Sequence, residues 1–474
     1  MLFPTATFAI FFLLVLPLSW LTMPWPHRWR PFIVLASYVF YSWWDWRFVF
    51  LLAGCTLWNQ VLAVRIWRSK VQSQRKALLV LALAGNIGLL GYFKYYDFFV
   101  SSSDNMAEIV GLDLPLSLKS IVLPVGVSFF TFMAISYVVD AYRGEFEPTT
   151  LEKFAVYLSF FPHLVAGPIV RPSELIPQIE TPRDPRRVDT SRAFYLIATG
   201  LFKKVVIANY LASSIVDQVF AAPGQHSSLE ILIAVYAYAV QIYADFSGYT
   251  DIAIGIALLL GFQFPQNFDS PYAAVSVQDF WRRWHMTLSR WLRDYVYIPL
   301  GGNRGTSLAT YRNLMLTMLI GGLWHGAAWT FVVWGGLHGG ALAWERWRRE
   351  RRSPADATRR TTGRHVWAAR IVTFHFVCFA WIFFRSDSFG AAWDMIESLF
   401  TNWGAPSPLV TTGVLLAIAV GIGSQYLPAR IPRLLMARFS RLPVLGQATV
   451  LALALMVTSV LGPEGVAPFI YFQF

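Results

Sequence analysis

The sequence predicts an all-α, polytopic membrane protein, and three observations carry that reading. Of 474 residues, 56% are hydrophobic and only 14% charged, with a mean hydropathy of +0.48; a soluble chain carries about a quarter charged residues. Apolar runs long enough to cross a bilayer, about 20 residues each, recur along most of the length. The longest polar stretches, 171–192 and 345–366, are too short to fold around cores of their own. The expected organisation is one membrane domain over 1–474: peripheral N-terminal spans (1–118), a catalytic core (about 119–345) and C-terminal spans (367–474).

The net charge is +12. In a membrane protein Lys and Arg gather in cytoplasmic loops. Here the basic clusters alternate with apolar runs rather than forming one stripe, so the expected partner is the lipid bilayer and not nucleic acid. Only two cysteines occur, Cys55 and Cys378, both in apolar segments. They lack the close pairing of a disulfide framework or a zinc site.

Taken in order, the N-terminus lacks the positive flank of a signal peptide, and charge arrives only at His27, Arg28 and Arg30. That suits an uncleaved first span with its N-terminus outside. The basic clusters 28–30 and 65–76 belong on one side, so 31–64 supplies two short spans turning near Trp43-Trp44-Asp45-Trp46. Residues 77–96 cross outward, 97–118 form an external loop, and 119–141 return. In 151–170, Pro162 and Pro168 break the helical ladder and predict a re-entrant element. After a cytoplasmic loop at 171–192, spans follow at about 193–211 and 229–261. Seven glycines between Gly321 and Gly340 let 314–345 cross twice through an unwound centre, with close helix–helix approach. Loop 346–364 carries eight Arg against two acids and is cytoplasmic. Spans at about 367–385, 410–427 and 447–462, with a basic loop at 428–443, bring the total to about ten to twelve crossings plus re-entrant and interfacial elements.

Ionisable groups at membrane depth mark functional sites by default, and histidine alone titrates near neutrality without help. His325 lies in Gly321-Gly322-Leu323-Trp324-His325-Gly326, where glycines let a substrate approach the backbone. On a helical wheel over 278–298, Trp281, Trp284, His285, Leu288, Trp291, Leu292 and Tyr295 share one arc, and Arg282, Arg283, Arg290 and Arg293 the other. This predicts an interfacial amphipathic helix with His285 on its buried face. A histidine satisfied by a backbone carbonyl is the plain alternative for His285. For the arginines, contact with lipid phosphate stands against attraction of a phosphorylated donor such as a coenzyme A ester. His338, His163 and His375 are weaker candidates, His338 as a structural neighbour of the site. Asp245 and Asp251 put two carboxylates in the 229–261 span. Buried, they require partners, either in a structural ion pair or in orienting a catalytic imidazole.

These residues closely resemble the membrane-bound O-acyltransferase family, in its bacterial alginate O-acetylation branch. The matching segments are Phe160 through Ile169, Tyr243 through Asp251, Gln278-Asp279-Phe280-Trp281 on to Tyr297, Pro299 through Arg304, Gly321 through Gly326, and the terminal Phe469 through Phe474. The resemblance implies a helical bundle with half-inserted helices around a central water-accessible tunnel. It maps the signature histidine to His325 and the companion polar position to His285. It implies a cytoplasmic acyl thioester donor, acetyl-CoA or a relative, with no bound cofactor or metal. It also implies a multi-pass protein of the bacterial inner membrane, with a periplasmic SGNH-hydrolase-like partner that acetylates a polysaccharide. Alginate, cellulose and peptidoglycan all remain open as acceptor.

The chemistry expected is acyl transfer, with His325 as general base and His285 as positioning group or oxyanion donor. Asp245, Trp281, Arg282 and Trp324 are the substrate-binding candidates. No Cys or Ser stands beside the histidines as a nucleophile, which favours direct transfer. A transporter or flippase relaying protons through His and Asp is the rival reading. A metalloenzyme using His285, His325 and Asp245 has poor ligand spacing.

Overall fold

Hydrocarbon offers no hydrogen bonds, so a chain crossing it must satisfy its backbone within each segment, as a helix does. The computed structural model describes residues 1–109, 111, 121–351, 363–428, 430–462 and 469–470, and among these the regular structure is helical throughout, with no strand. The chain divides into two compact units, Met1–Ala193 with Ala253–Pro265, and Phe194–Ile252 with Gln266–Phe474.

The first unit holds α1 (Ala6–Thr22), α2 (Pro26–Ser42), α3 (Arg47–Arg68), α4 (Gln72–Leu90), α5 (Tyr96–Ile109), α6 (Val127–Arg143), α7 (Leu151–Ser159), α8 (Phe161–Leu164) and α9 (Pro172–Glu180). A phenylalanine cluster ties α1, α2 and α8: Phe161 meets Phe11 at 5.3 Å and Phe40 at 5.6 Å between ring centroids. The α2–α3 turn falls on the Trp43–Trp46 cluster, and α7 and α8 part at Phe160, the break that the two prolines predict.

The remaining helices are α10 (Thr190–Leu201), α11 (Asn209–Leu211), α12 (Asp217–Ala221), α13 (Ser228–Leu259), α14 (Val277–Arg283), α15 (Met286–Leu292), α16 (Ser307–His325), α17 (Trp329–Glu350), α18 (Gly363–Arg385), α19 (Phe389–Thr401), α20 (Thr412–Gly423), α21 (Arg430–Ser440) and α22 (Val444–Leu461). Two π-helical stretches, Phe202–Ala208 and Ala212–Val216, interrupt the run from α10 to α12. The first carries Lys203 and Lys204. These pair with Asp251 and Asp245 on α13, so the two carboxylates expected in this span both meet lysines.

Six helices among the described residues are long and apolar enough to cross a membrane, or seven if the bent pair Thr412–Tyr426 and Arg430–Ser440 forms one span. Helices of 17 to 22 residues that are shorter or more polar than these lie at α1, α2, α6, α16 and α17.

Four local expectations change. The segment expected as an external loop from 97 is helical to Ile109; its Ser and Asp residues are polar, but no Gly or Pro breaks the turn. Residues 112–118 of that loop lie outside the described residues, as do 352–362 of the arginine-rich loop. The expected continuous helix over 278–298 is two short helices broken at Trp284–His285, followed by a π turn at Arg293–Tyr297. The expected loop at 428–443 contains α21, whose Ile431, Leu434 and Leu435 recur at helical spacing against Arg430, Arg433 and Arg438. Finally, the loop at 171–192 contains α9.

Candidate active site

The break in the 278–298 segment builds the first half of the site. His285 sits at φ +41°, ψ 53°, a left-handed conformation rare for a side-chain-bearing residue. The extended chain before α14 holds it there. Asn267 accepts the Met286 amide on its backbone carbonyl at 2.9 Å, and its side-chain oxygen accepts the Thr287 amide at 3.2 Å and hydroxyl at 2.9 Å. Asn267 thus satisfies donors that the first turn of α15 would leave open. The sequence reading missed it, because its partners lie about twenty residues on and no local pattern connects them. The His285 ring is fully buried, with Phe246 of α13 at 4.7 Å, and neither ring nitrogen has a hydrogen-bond partner among the described residues.

The second half comes from the glycine-rich hairpin. His325 is the last residue of α16, and the chain turns through Gly326 to Ala328 before α17. The two helices approach so closely that a Cβ on Gly322 would lie 2.3 Å from the Phe331 carbonyl oxygen, and one on Gly335 would lie 2.4 Å from that of Met318. Only glycine permits that approach. His325 is 2% exposed and walled by Trp324 (4.9 Å), Trp334 (5.1 Å) and Phe384 (5.3 Å). Its ring lies 6.4 Å from that of His285, with the planes at 73°. Trp324 faces both imidazoles, 5.9 Å from His285.

Trp281 and Arg282 lie on the neighbouring wall of a cavity of about 440 Å³. Five guanidinium groups line it: Arg282, Arg290, Arg293, Arg346 and Arg349. Arg293 is paired with Asp294, Arg346 with Glu350, and Arg349 donates to Gln278. The Tyr311 hydroxyl and the Arg346 guanidinium hold the Glu350 carboxyl below its ordinary range. Asn303, from the Gly301-Gly302-Asn303-Arg304 motif, accepts from Tyr297 and Arg346 at the same wall. The cavity reaches Met286, next to His285, and Trp281. Neither imidazole is among its lining residues.

From Trp281 a run of rings leads to His325: Trp281 to Trp334 at 5.7 Å, then Trp334 to His325 at 5.1 Å. His338 is fully buried, and its Nδ1 accepts from Trp281 Nε1 at 3.2 Å. The weaker candidate therefore touches the wall of the cavity, a role foreshadowed only as a structural neighbour.

Asp245 is placed in an ion pair with Lys204, and its other oxygen accepts the Ile470 amide at 2.9 Å. The second residue of the terminal aromatic motif is thereby tied to α13; Tyr471 through Phe474 lie outside the described residues. His163 Nε2 contacts the Tyr157 carbonyl at 3.0 Å, and His375 bridges Tyr236 and the Ile371 carbonyl. Both have structural partners. Among the described residues no group of three or more His, Cys, Asp or Glu could hold a metal ion.

Residues 118–386 match the model of the MBOAT, membrane-bound O-acyltransferase family. The chain is 42% identical over 409 residues to a protein of Azotobacter vinelandii described as a probable alginate O-acetylase AlgI, covering 85% of this chain and 78% of that one. It is 38% identical over 398 residues to the peptidoglycan O-acetyltransferase of Helicobacter pylori, covering 77% and 73%. A more distant similarity, 28% over 285 residues, is to the teichoic acid D-alanyltransferase of Bacillus subtilis, covering 56% and 69%. With a family match across more than half its length and long alignments to acyl-transferring relatives, this multi-pass chain belongs to the membrane-bound O-acyltransferase family and is an O-acyltransferase.

Proposed function

We propose that the protein moves an acetyl group from a cytoplasmic thioester, acetyl-CoA or a close relative, to a hydroxyl acceptor on the outer side of the bacterial inner membrane. From there the acetyl group serves O-acetylation of an exopolysaccharide of the alginate type. The observation that carries this reading is the meeting of His285 and His325, 6.4 Å apart, behind a cavity ringed by arginines.

The arginine cavity suits the phosphates of the donor, since guanidinium forks match phosphate oxygens and carry a permanent charge. Among the described residues Arg282 has no hydrogen bond or ion pair, so its guanidinium is available to a phosphate. The acyl arm then reaches past Trp281 towards Trp324 and the imidazoles, which requires Trp281 or Met286 to move aside.

In the transfer step His325 accepts the proton of the acceptor hydroxyl as its oxygen attacks the thioester carbonyl carbon. His285 donates a hydrogen bond to the developing oxyanion. Collapse of the tetrahedral species re-forms the carbonyl, breaks the C–S bond and releases the thiolate, which takes the proton from His325. Asp245 supports the site by holding α13 to the Lys204 segment and the Ile470 backbone.

In this scheme the acceptor passes the acetyl group to a periplasmic partner of hydrolase fold. Incubation of membranes with labelled acetyl-CoA tests the reading. Label appearing in an extracytoplasmic ester, and absent with His325→Ala, is the expected result; transport of solute with no transfer of label would support a flippase instead.

A further inference from the structure

Two glycines of α17 stand where packing asks for no glycine. Gly335 and Gly339 face α16, where an added Cβ would come within 2.4 Å of the Met318 carbonyl oxygen and 2.9 Å of Met315 Sδ. Gly336 and Gly340 lie one step round the helix. There an added Cβ would meet nothing closer than Leu319 Cδ2 at 3.8 Å and Met315 Cε at 3.9 Å, which is ordinary contact. Glycine is the poorest helix former after proline, so helix packing gives no reason for these two. The open volume they leave does.

They floor a groove of about 750 Å³, walled by Val333 and Leu337 of α17 and by Val372 and Phe376 of α18. Among the described residues its one ionisable lining residue, Glu345, already accepts the amides of Val277 and Gln278 at 2.6 and 3.1 Å, capping α14. At that same end Trp344 lines the groove and Arg348 stacks over its indole at 4.7 Å; Arg351 stacks over Trp347 at 4.5 Å. Arg348 has no ion pair or hydrogen bond among the described residues. Tryptophan beside arginine is the composition of a headgroup layer.

We propose that this groove is a lipid site that takes one acyl chain of an anionic glycerophospholipid, with the lipid phosphate on Arg348. A methylene chain is narrow enough to lie on two bare glycines, whereas a helix of a partner protein is about 10 Å across. The cationic end selects an anionic headgroup over a zwitterionic one. The bound chain bridges α17 and α18, the two helices that supply Trp334 and Phe384 to the wall around His325. The site does not depend on which donor or acceptor the enzyme uses.

The test uses the full chain in nanodiscs of phosphatidylcholine, with and without phosphatidylglycerol, read by thermal unfolding and by native mass spectrometry. For the wild type we expect phosphatidylglycerol to raise the unfolding midpoint by about 5 °C and to be retained as a bound lipid. Gly340→Leu, which fills the groove, and Arg348→Gln, which removes the charge, should each abolish both signals. Gly88→Leu adds the same bulk where nothing lies within 4 Å and should keep them. If Gly340→Leu does not fold, Gly336→Leu serves in its place. Equal midpoints in the two bilayers, a gain that survives the groove variants, or a co-purifying membrane polypeptide lost on Gly340→Leu would each overturn the proposal.

Discussion

The imidazole of His285 meets that of His325 at 6.4 Å, although each sits at a different chain break: His285 immediately precedes α15 and His325 ends α16. Helix ends project side chains into the gap that a regular helix would close. Both breaks are fixed by neighbours, the first by Asn267 and the second by the glycine contacts of the α16–α17 hairpin. The positions of both rings are thus set by the backbone.

The left-handed backbone at His285 separates chemical from conformational effects. Asparagine visits that region readily and β-branched residues do not. We expect His285→Asn to unfold at the wild-type temperature and to keep much of the transfer rate, because its amide N–H can still donate to the oxyanion. His285→Val, which has no donor, should lose about 10²–10³ in transfer rate and also lower the melting temperature. Wild-type turnover in His285→Val would remove His285 from the chemistry.

Arg282 should act on donor affinity alone. Its replacement by Ala is expected to raise the donor KM about tenfold, with kcat little changed, as for a contact equally present before and during reaction. The difference should shrink as salt is raised, because the cavity is open to screening. Steady-state kinetics at low and high salt check both statements; a fall in kcat at constant KM would contradict them.

The Lys204–Asp245 pair is buried, with 3% and 4% of each side chain exposed. Removing one partner leaves a bare charge and costs about 3–5 kcal/mol. Lys204→Met and Asp245→Leu should therefore each destabilise strongly in thermal or denaturant unfolding. The double variant should recover much of the loss, though not all, because the Ile470 amide still loses its acceptor. Additive losses in the double variant would show that the pair is not coupled.

The hairpin glycines divide into two kinds. Gly322→Ala and Gly335→Ala force a Cβ against a carbonyl oxygen at 2.3–2.4 Å and should cost about 1–3 kcal/mol, with activity falling as His325 shifts. Gly336→Ala, whose Cβ would sit in ordinary contact 3.8 Å from Leu319 Cδ2, should be neutral or slightly stabilising. Melting temperatures of the three variants in one detergent make the comparison.

Much of this was legible in the sequence. Long apolar runs gave the helical class, Pro162 announced the α7–α8 break, and the glycines of 321–340 announced a tight hairpin. The flanking glycines and tryptophan singled out His325 as a candidate. What the sequence concealed is instructive. The wheel over 278–298 placed His285 correctly on a buried face, yet the helix breaks at that residue, because Asn267 offers the backbone a better partner than the next turn. Long-range capping leaves no periodic trace. An ion pair at Asp245 was among the expectations, but its partner was hidden, since Lys204 lies in a π-helical stretch whose altered phase a regular helical period misplaces. The link from His338 to Trp281 spans 57 residues and joins two positions that local patterning treats as unrelated.

The most direct test of the central assignment is the rate of label transfer from acetyl-CoA by membranes carrying His325→Ala, compared with wild type at equal protein level and equal melting temperature. Loss of about 10²–10⁴ in rate, with donor binding retained, is the expected result for a missing general base. Transfer at the wild-type rate in a folded His325→Ala protein would contradict it.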